Sequence, residues 1–228
     1  MNTEAAVTMK PIAYVHTNLK EKFGAPRQSG VMKEYKGTIV FEPEYRIQEA
    51  FKDLDTFSHI WLIWNFSKSG DTFSPTVRPP RLGGNKRVGV FASRSPFRPN
   101  AIGLSVVKLD SIEYTKNYGP VLHVCGIDMI DGTPVFDIKP YIPYSDSIPD
   151  AKGGFTKGLS NLSLKVNFPE NLLSKIPEEN RKEIMEILSH DPRPQYQEDP
   201  DRVYGIKYLD YDITFTIEGD VSTVTDIK

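Results

Sequence analysis

Arg87-Val-Gly-Val-Phe-Ala-Ser-Arg-Ser-Pro-Phe-Arg-Pro-Asn-Ala-Ile-Gly-Leu-Ser105 reads as a strand, a stiff loop and a second strand. Val88, Val90 and Ala92 alternate with Gly89 and Phe91, as on a strand with two unlike faces, and Ile102 to Leu109 resumes the apolar run. Pro96 and Pro99 fix φ and push Ser95 and Arg98 toward extended backbone, so Arg94 and Arg98 project from a loop with little freedom left to lose. Two guanidiniums on such a loop form an anion grip, and Asn100 adds an amide that donates and accepts. A proline-rich connection with solvated arginines is the plain alternative.

Outward from this loop, the strand-turn-strand pattern repeats. Met9 to His16, Thr38 to Phe41, Phe57 to Phe66 and Val121 to Asp128 each read as strands, and Asp131-Gly132 signals a tight turn. Pro43 opens an expected helix from Glu44 to about Leu54, with Ile47, Ala50, Phe51 and Leu54 at helical spacing. Ser67 to Gly84 has no apolar period and reads as a long exposed loop. Many short strands with few helices predict a mainly β fold, an antiparallel β-barrel or sandwich. No strand, Gly-x-Gly-x-x-Gly turn and helix occur in succession, so a Rossmann sheet is not expected.

Beyond Gly153 the pattern changes. Leu162 to Phe168 alternates as a strand, Pro177 sits at the start of a helix from Glu178 to about His190, and Asp191-Pro-Arg-Pro stops it. Tyr204 to Tyr208 and Tyr211 to Ile217 form a hairpin. We expect a barrel domain at 1–152 and a small α+β C-terminal domain at 153–228, too poor in apolar residues to fold alone and therefore packed on the barrel.

Composition bounds the chemistry. The chain has 228 residues, 39% hydrophobic and 25% charged, with a formal net charge of -2. From Thr72 to Leu109, however, seven basic residues (Arg78, Arg81, Lys86, Arg87, Arg94, Arg98, Lys108) occur with no acid. A local cationic segment on a mildly acidic protein suits an anionic partner docking at one place, such as a folded RNA. Cys125 is the only cysteine, which excludes an intramolecular disulfide and argues against a cysteine zinc site. The four histidines show no metal-ligand spacing, so no metal is expected. Met1 to Met9 lack the pattern of a signal peptide and no stretch is long enough to span a bilayer, so the expected compartment is cytoplasmic, with no membrane partner. Between the prolines Pro134, Pro140 and Pro143, Asp137 and Lys139 share one strand face at the spacing of an ion pair.

In order, Pro26-Arg-Gln-Ser-Gly30, Ser58-His-Ile-Trp61, Ser93 to Ser105, Asp131-Gly-Thr-Pro134 with Asp137-Ile-Lys-Pro-Tyr141, and Asp191-Pro-Arg-Pro with Tyr204-Gly205 resemble the TsaA-like family and its bacterial TrmO-type tRNA methyltransferases. The resemblance covers nearly the whole chain. It implies an S-adenosylmethionine-dependent enzyme that methylates the exocyclic nitrogen of threonylcarbamoyl-adenosine beside the anticodon of tRNA, working as a homodimer with the cofactor near the subunit boundary. Carried over by motif, cofactor contacts come from Pro26, Arg27, Gln28, Ser58, His59, Arg94 and Leu104, and from Asp128, Met129, Ile130, Asp131, Gly132 and Thr133.

Methyl transfer from a sulfonium is an in-line displacement, and holding donor and acceptor in line is worth up to roughly 7–11 kcal/mol, so no protein nucleophile is required. The acceptor nitrogen belongs to a urea and gains from loss of its proton, for which Asp131 or His59 is the candidate base. Arg98, or Arg81 or Arg87, is the candidate partner of the substrate carboxylate or a nearby phosphate, with Arg78, Asn100 and Lys139 completing the RNA-binding set. Two rivals stand beside this reading: a non-enzymatic RNA-binding barrel, and S-adenosylmethionine-dependent methylation of a small acceptor.

Overall fold

The computed structural model describes residues 7–70, 72–82, 86–157, 163–191, 193, 199 and 201–228. The strands are β1 (Ala13–Thr17), β2 (Lys36–Phe41), β3 (His59–Asn65), β4 (Thr76–Val77), β5 (Val88–Gly89), β6 (Ile102–Thr115), β7 (Gly119–Cys125), β8 (Thr133–Pro140), β9 (Lys165–Asn167), β10 (Tyr204–Tyr208), β11 (Tyr211–Glu218) and β12 (Val221–Ile227). The α-helices are α1 (Pro143–Asp146), α2 (Glu170–Leu173) and α3 (Glu178–Ser189).

Six strands close into an antiparallel barrel in the order β1-β2-β7-β6-β3-β8. The period of two along each strand decides what fills it. Ala13 and Val15, Ile39 and Phe41, Ile60, Leu62 and Trp64, Val107 and Leu109, and Leu122 and Val124 all turn inward and are buried. β6 is the longest strand because it serves two partners: Ile102 to Lys108 pairs with β3, and Lys108 to Thr115 with β7. Its register shifts between Leu109 and Ser111, a bulge that bends the strand where it passes from one partner to the other.

Gly103 has a packing reason. The Trp64 indole lies over it so closely that a methyl built there would fall among the ring atoms. Trp64 Nε1 then donates to Ser105 Oγ at 3.0 Å, which satisfies a buried indole inside the barrel.

A second sheet, β10-β11-β12-β9, carries α3, with β9 parallel to β12. Ile184, Ile187 and Leu188 of α3 and Ile206, Ile213 and Phe215 of the sheet belong to the same apolar cluster as the barrel interior, and Leu19 bridges to Tyr208. Buried residues of the C-terminal elements thus share one apolar cluster with the barrel. No helix among the described residues is long and apolar enough to cross a membrane.

Three local expectations need correction. The helix expected at Glu44 to Leu54 is instead three short 3-10 turns, Pro43–Tyr45, Gln48–Phe51 and Leu54–Thr56. Ile47 is extended and 56% exposed, Asp53 has φ 64, and Arg46 Nε is held by Phe41 O at 2.8 Å, so the apolar stripe never lines up on one helix. The strand expected over Val88 to Ala92 pairs only at Val88 and Gly89; Val90–Ala92 turns, which buries Val90 and leaves Phe91 74% exposed. The loop before it is not structureless, since Thr76–Val77 forms the partner strand. The expected strand Leu162 to Phe168 is seen at Lys165–Asn167, and Leu162 lies outside the described residues.

Candidate active site

Two long connections meet at one end of the barrel. The loop from Asn18 to Tyr35 joins β1 to β2, and the loop from Gly126 to Gly132 joins β7 to β8. They are tied by backbone: Gly30 N donates to Gly126 O at 2.7 Å and Gly126 N to Tyr35 O at 2.9 Å. Gly126 has φ 73 and packs on Gly30, a left-handed position that a side chain would strain. Tyr35 Oη, buried, donates to Met129 O at 3.1 Å, and burial pushes its phenol well above the ordinary range.

The stiff loop after β5 joins them. Arg94 Nη1 donates to Gln28 Oε1. Beside them Asp128 has a carboxylate oxygen, Oδ1, that is buried and has no hydrogen-bond partner among the described residues. Burial pushes the Asp128 carboxyl up, against the Ser105 hydroxyl, its own amide, the Ser29 amide and the Arg94 charge. A cation, an amide and an unsatisfied buried acceptor therefore lie close together. An unpaired buried acceptor costs about 1–3 kcal/mol, so this arrangement fits a ligand that brings donors and a carboxylate. The parts of S-adenosylmethionine meet that need: its hydroxyls or ammonium for Asp128, and its carboxylate for Arg94.

The turn at Asp131 is held by backbone and side-chain bonds to β1 and the chain just after it. Asp131 N donates to Leu19 O at 2.9 Å and Gly132 N to Val15 O at 2.8 Å. Asp131 Oδ1 receives Thr17 N at 3.4 Å and lies 3.2 Å from His16 Nδ1. Gly132 has φ 78, and Thr133 Oγ1 donates to Ile130 O at 2.7 Å, closing the turn.

The other expected residues make contacts of their own. Pro26 is buried, and Arg27 Nη2 donates to Arg193 O at 2.8 Å. Arg98 Nη1 donates to Ser93 O at 2.7 Å and to Val90 O at 3.3 Å, which staples its own loop. Arg87 Nη1 donates to Thr76 Oγ1 at 2.6 Å. Arg78 and Asn100 are exposed, and the Arg81 side chain lies outside the described atoms. Lys139 Nζ pairs with Asp137 Oδ2 at 2.8 Å, the ion pair that their shared strand face predicts. Ser58 Oγ lies 2.9 Å from His59 Nδ1, both exposed, with the His59 ring 6.3 Å from Tyr141. Among the described residues no hydrogen bond links Ser58 or His59 to Gln28, Arg94 or Asp128. Leu104, 54% exposed, lies opposite Ile63, four residues or about 13 Å along β3 from His59.

Sequence reasoning missed Ser105, Ser29, His16 and Tyr35 as parts of this region. Ser105 carried a signal: it falls in phase with Gly103, Val107 and Leu109 on the inward face of β6, where a hydroxyl needs a partner. His16 and Tyr35 carried none, because their neighbours come from another loop.

Comparison with known proteins identifies the family. The sequence model described as the tRNA-methyltransferase O N-terminal domain matches residues 14–147, and the TrmO C-terminal domain matches residues 161–228. The chain is 36% identical over 215 residues, 90% of this chain and 91% of the relative, to the tRNA (adenine(37)-N6)-methyltransferase of Escherichia coli strain K12. It is 44% identical over 171 residues, 74% of this chain and 96% of the relative, to the protein of the same name from Eikenella corrodens. The crystal structure of TrmO from Pseudomonas aeruginosa superposes with a TM-score of 0.78 at 32% identity, covering 98% of this chain and 99% of that one. The overall architecture is thus a known one, and the chain belongs to the tRNA-methyltransferase O family.

Proposed function

We propose that this protein is an S-adenosylmethionine-dependent tRNA adenine N-methyltransferase acting at adenosine 37, and that its acceptor is the exocyclic nitrogen of threonylcarbamoyl-adenosine beside the anticodon. Family membership supports the reaction. The observation that carries the site is the Gln28–Arg94 contact set against the buried, unpartnered Asp128 Oδ1.

When bound, S-adenosylmethionine supplies a methyl group on a sulfonium. The residues of the chain do the rest by placement. Arg94 would hold its carboxylate and Asp128 would accept from a hydroxyl or its ammonium, while Gln28 holds Arg94 in position. Asp131 is the favoured base: among the described residues only its Oδ1 is hydrogen-bonded, which orients the carboxylate and leaves Oδ2 to take the acceptor proton. His59 is the second candidate, with Nδ1 engaged by Ser58 and Nε2 open. Arg78, Arg87 and Asn100 on the cationic segment, with Lys139, supply contacts to the RNA backbone.

The same reading includes a homodimer. Phe91, Phe97, Ile102 and Leu104 are exposed beside the Arg94 loop, an apolar edge suited to burial against a second copy. A partner there would also supply groups that one chain keeps apart, Ser58 and His59 among them. Light scattering checks this; a monomer that binds the cofactor fully would remove the second copy from the site.

The deciding experiment is mass spectrometry of nucleosides from threonylcarbamoylated tRNA incubated with the protein and isotope-labelled cofactor. One labelled methyl on that nucleoside is the expected result. RNA retention without methylation would leave a binding barrel, and methylation of unmodified adenosine would remove the threonylcarbamoyl requirement.

A further inference from the structure

The loop that presents Gln28 is not held by the barrel alone. Glu183 and Glu186 of α3 stand three residues apart, on one face of the helix, and that face meets the loop. The Glu186 carboxylate accepts from two consecutive backbone amides, Lys33 N at 2.8 Å and Glu34 N at 2.7 Å. At the other end of the loop, Glu183 accepts from Asn18 Nδ2 at 3.3 Å, and that nitrogen also donates to Tyr208 Oη at 3.0 Å. Leu209 N donates to Asn18 O at 2.9 Å. Between the two ends, Phe23 stacks on Tyr204, with ring centroids 6.2 Å apart and planes 8° from parallel. Gly24, at φ 88, comes close enough to Ile206 and Ile187 that an added Cβ would touch both. Both ends of the loop and its middle are therefore tied to elements that follow residue 163.

The chemistry of these ties is informative. Packing alone would be served by apolar side chains. A carboxylate that accepts two adjacent N–H groups fixes the direction of the backbone as well as its position, and charge-assisted bonds of this kind are about twice as strong as neutral ones. The segment has no helix or strand of its own, only turns such as Ala25 N to Lys22 O at 3.2 Å, so ties from outside it do much to set where Gln28 meets Arg94.

We propose that Glu186, with Glu183 beside it, is a positioning residue for the methyl-donor site: α3 clamps the loop backbone so that Gln28 is presented to Arg94 and Asp128. The proposal rests on the reading of that cluster as the donor site. It assigns the C-terminal elements a part in cofactor affinity in addition to any contact with RNA.

The test uses the full chain. Glu186→Ala and Glu186→Gln are compared with wild type for S-adenosylmethionine Kd by calorimetry, KM for cofactor and for tRNA, and hydrogen exchange at the Lys33 and Glu34 amides. Glu186→Ala is expected to speed exchange at both amides and raise cofactor Kd and KM about tenfold, with KM for tRNA within about twofold of wild type. Glu186→Gln, which keeps the volume and one acceptor, should fall between, and it decides the matter alone if the Ala variant does not fold. Faster amide exchange with unchanged cofactor Kd would overturn the clamp, as would an equal rise in both KM values. Gln28→Ala separates the two readings. If it leaves cofactor Kd unchanged, the donor site itself is misplaced; if it weakens binding while the Glu186 variants do not, only the clamp fails.

Discussion

Glu183→Gln tests the same joint through its charge. Glu183 is 4% exposed, and burial pushes its carboxyl from the ordinary 4.5 up to about 7. Asn18, Tyr208 and Lys36 oppose that rise, and Glu186 adds to it. Around it, the Tyr35 phenol is near enough to feel the Glu183 charge, and Glu34, Lys36, Glu178, Glu179 and Lys182 line the cleft with it. A carboxyl whose pKa rises on folding binds its proton more tightly in the folded chain. Its favourable contribution is therefore complete below about pH 4.5 and is lost as pH climbs through about 7. The rise is worth about 3 kcal/mol, at about 1.4 kcal/mol per pH unit. From this group the wild type should lose up to about 3 kcal/mol of stability between about pH 5 and pH 8. Gln cannot ionise, so the variant lacks that loss while keeping an acceptor for Asn18. Urea melts at about pH 5, 6, 7 and 8 measure the difference. The two proteins should be close at the acid end, and the variant should be more stable by about 2–3 kcal/mol at the alkaline end. Parallel curves would refute the reasoning, because they would mean that Glu183 does not titrate differently on folding.

Three further outcomes follow from the geometry. Gly103→Ala places a methyl among the ring atoms of Trp64 and breaks the packing that lets its indole reach Ser105; a loss of about 3 kcal/mol is expected, seen as a lower Tm and altered tryptophan fluorescence. Arg98→Ala removes the staple to Ser93 O, so affinity should fall equally for modified and unmodified anticodon-loop RNA; a loss confined to the modified RNA would instead give Arg98 the substrate carboxylate. Asp131→Asn should lower kcat by about 10²–10⁴ with cofactor Kd retained, and a comparable fall in His59→Ala but not in Asp131→Asn would transfer the base role to His59.

Much of this was legible in the residues because it depends on local rules. Alternation placed β3, β10 and β11 near their observed spans and found the start of β6, which runs on to Thr115 past the expected Leu109, and α3 ends at Ser189 just before Asp191. Where a local rule competed with tertiary contacts it failed. Helical spacing at Ile47, Phe51 and Leu54 gave way to the Arg46 tie and the left-handed Asp53, and the strand pattern at Val90 gave way to a turn that buries Val90 and exposes Phe91.

The order of polar and apolar residues, the Gly and Pro positions and the charge run from Thr72 to Leu109 determined by themselves a β-rich chain with stiff cationic loops and several family motifs. Tertiary structure alone decided which of those motifs share a space: Arg94 with Gln28 and Asp128, Asp131 with His16, and Glu186 with the backbone of Lys33 and Glu34. The physical reason is that barrel closure and the docking of α3 set distances between residues as much as 165 positions apart, and no pattern of period two or 3.6 carries information over that range.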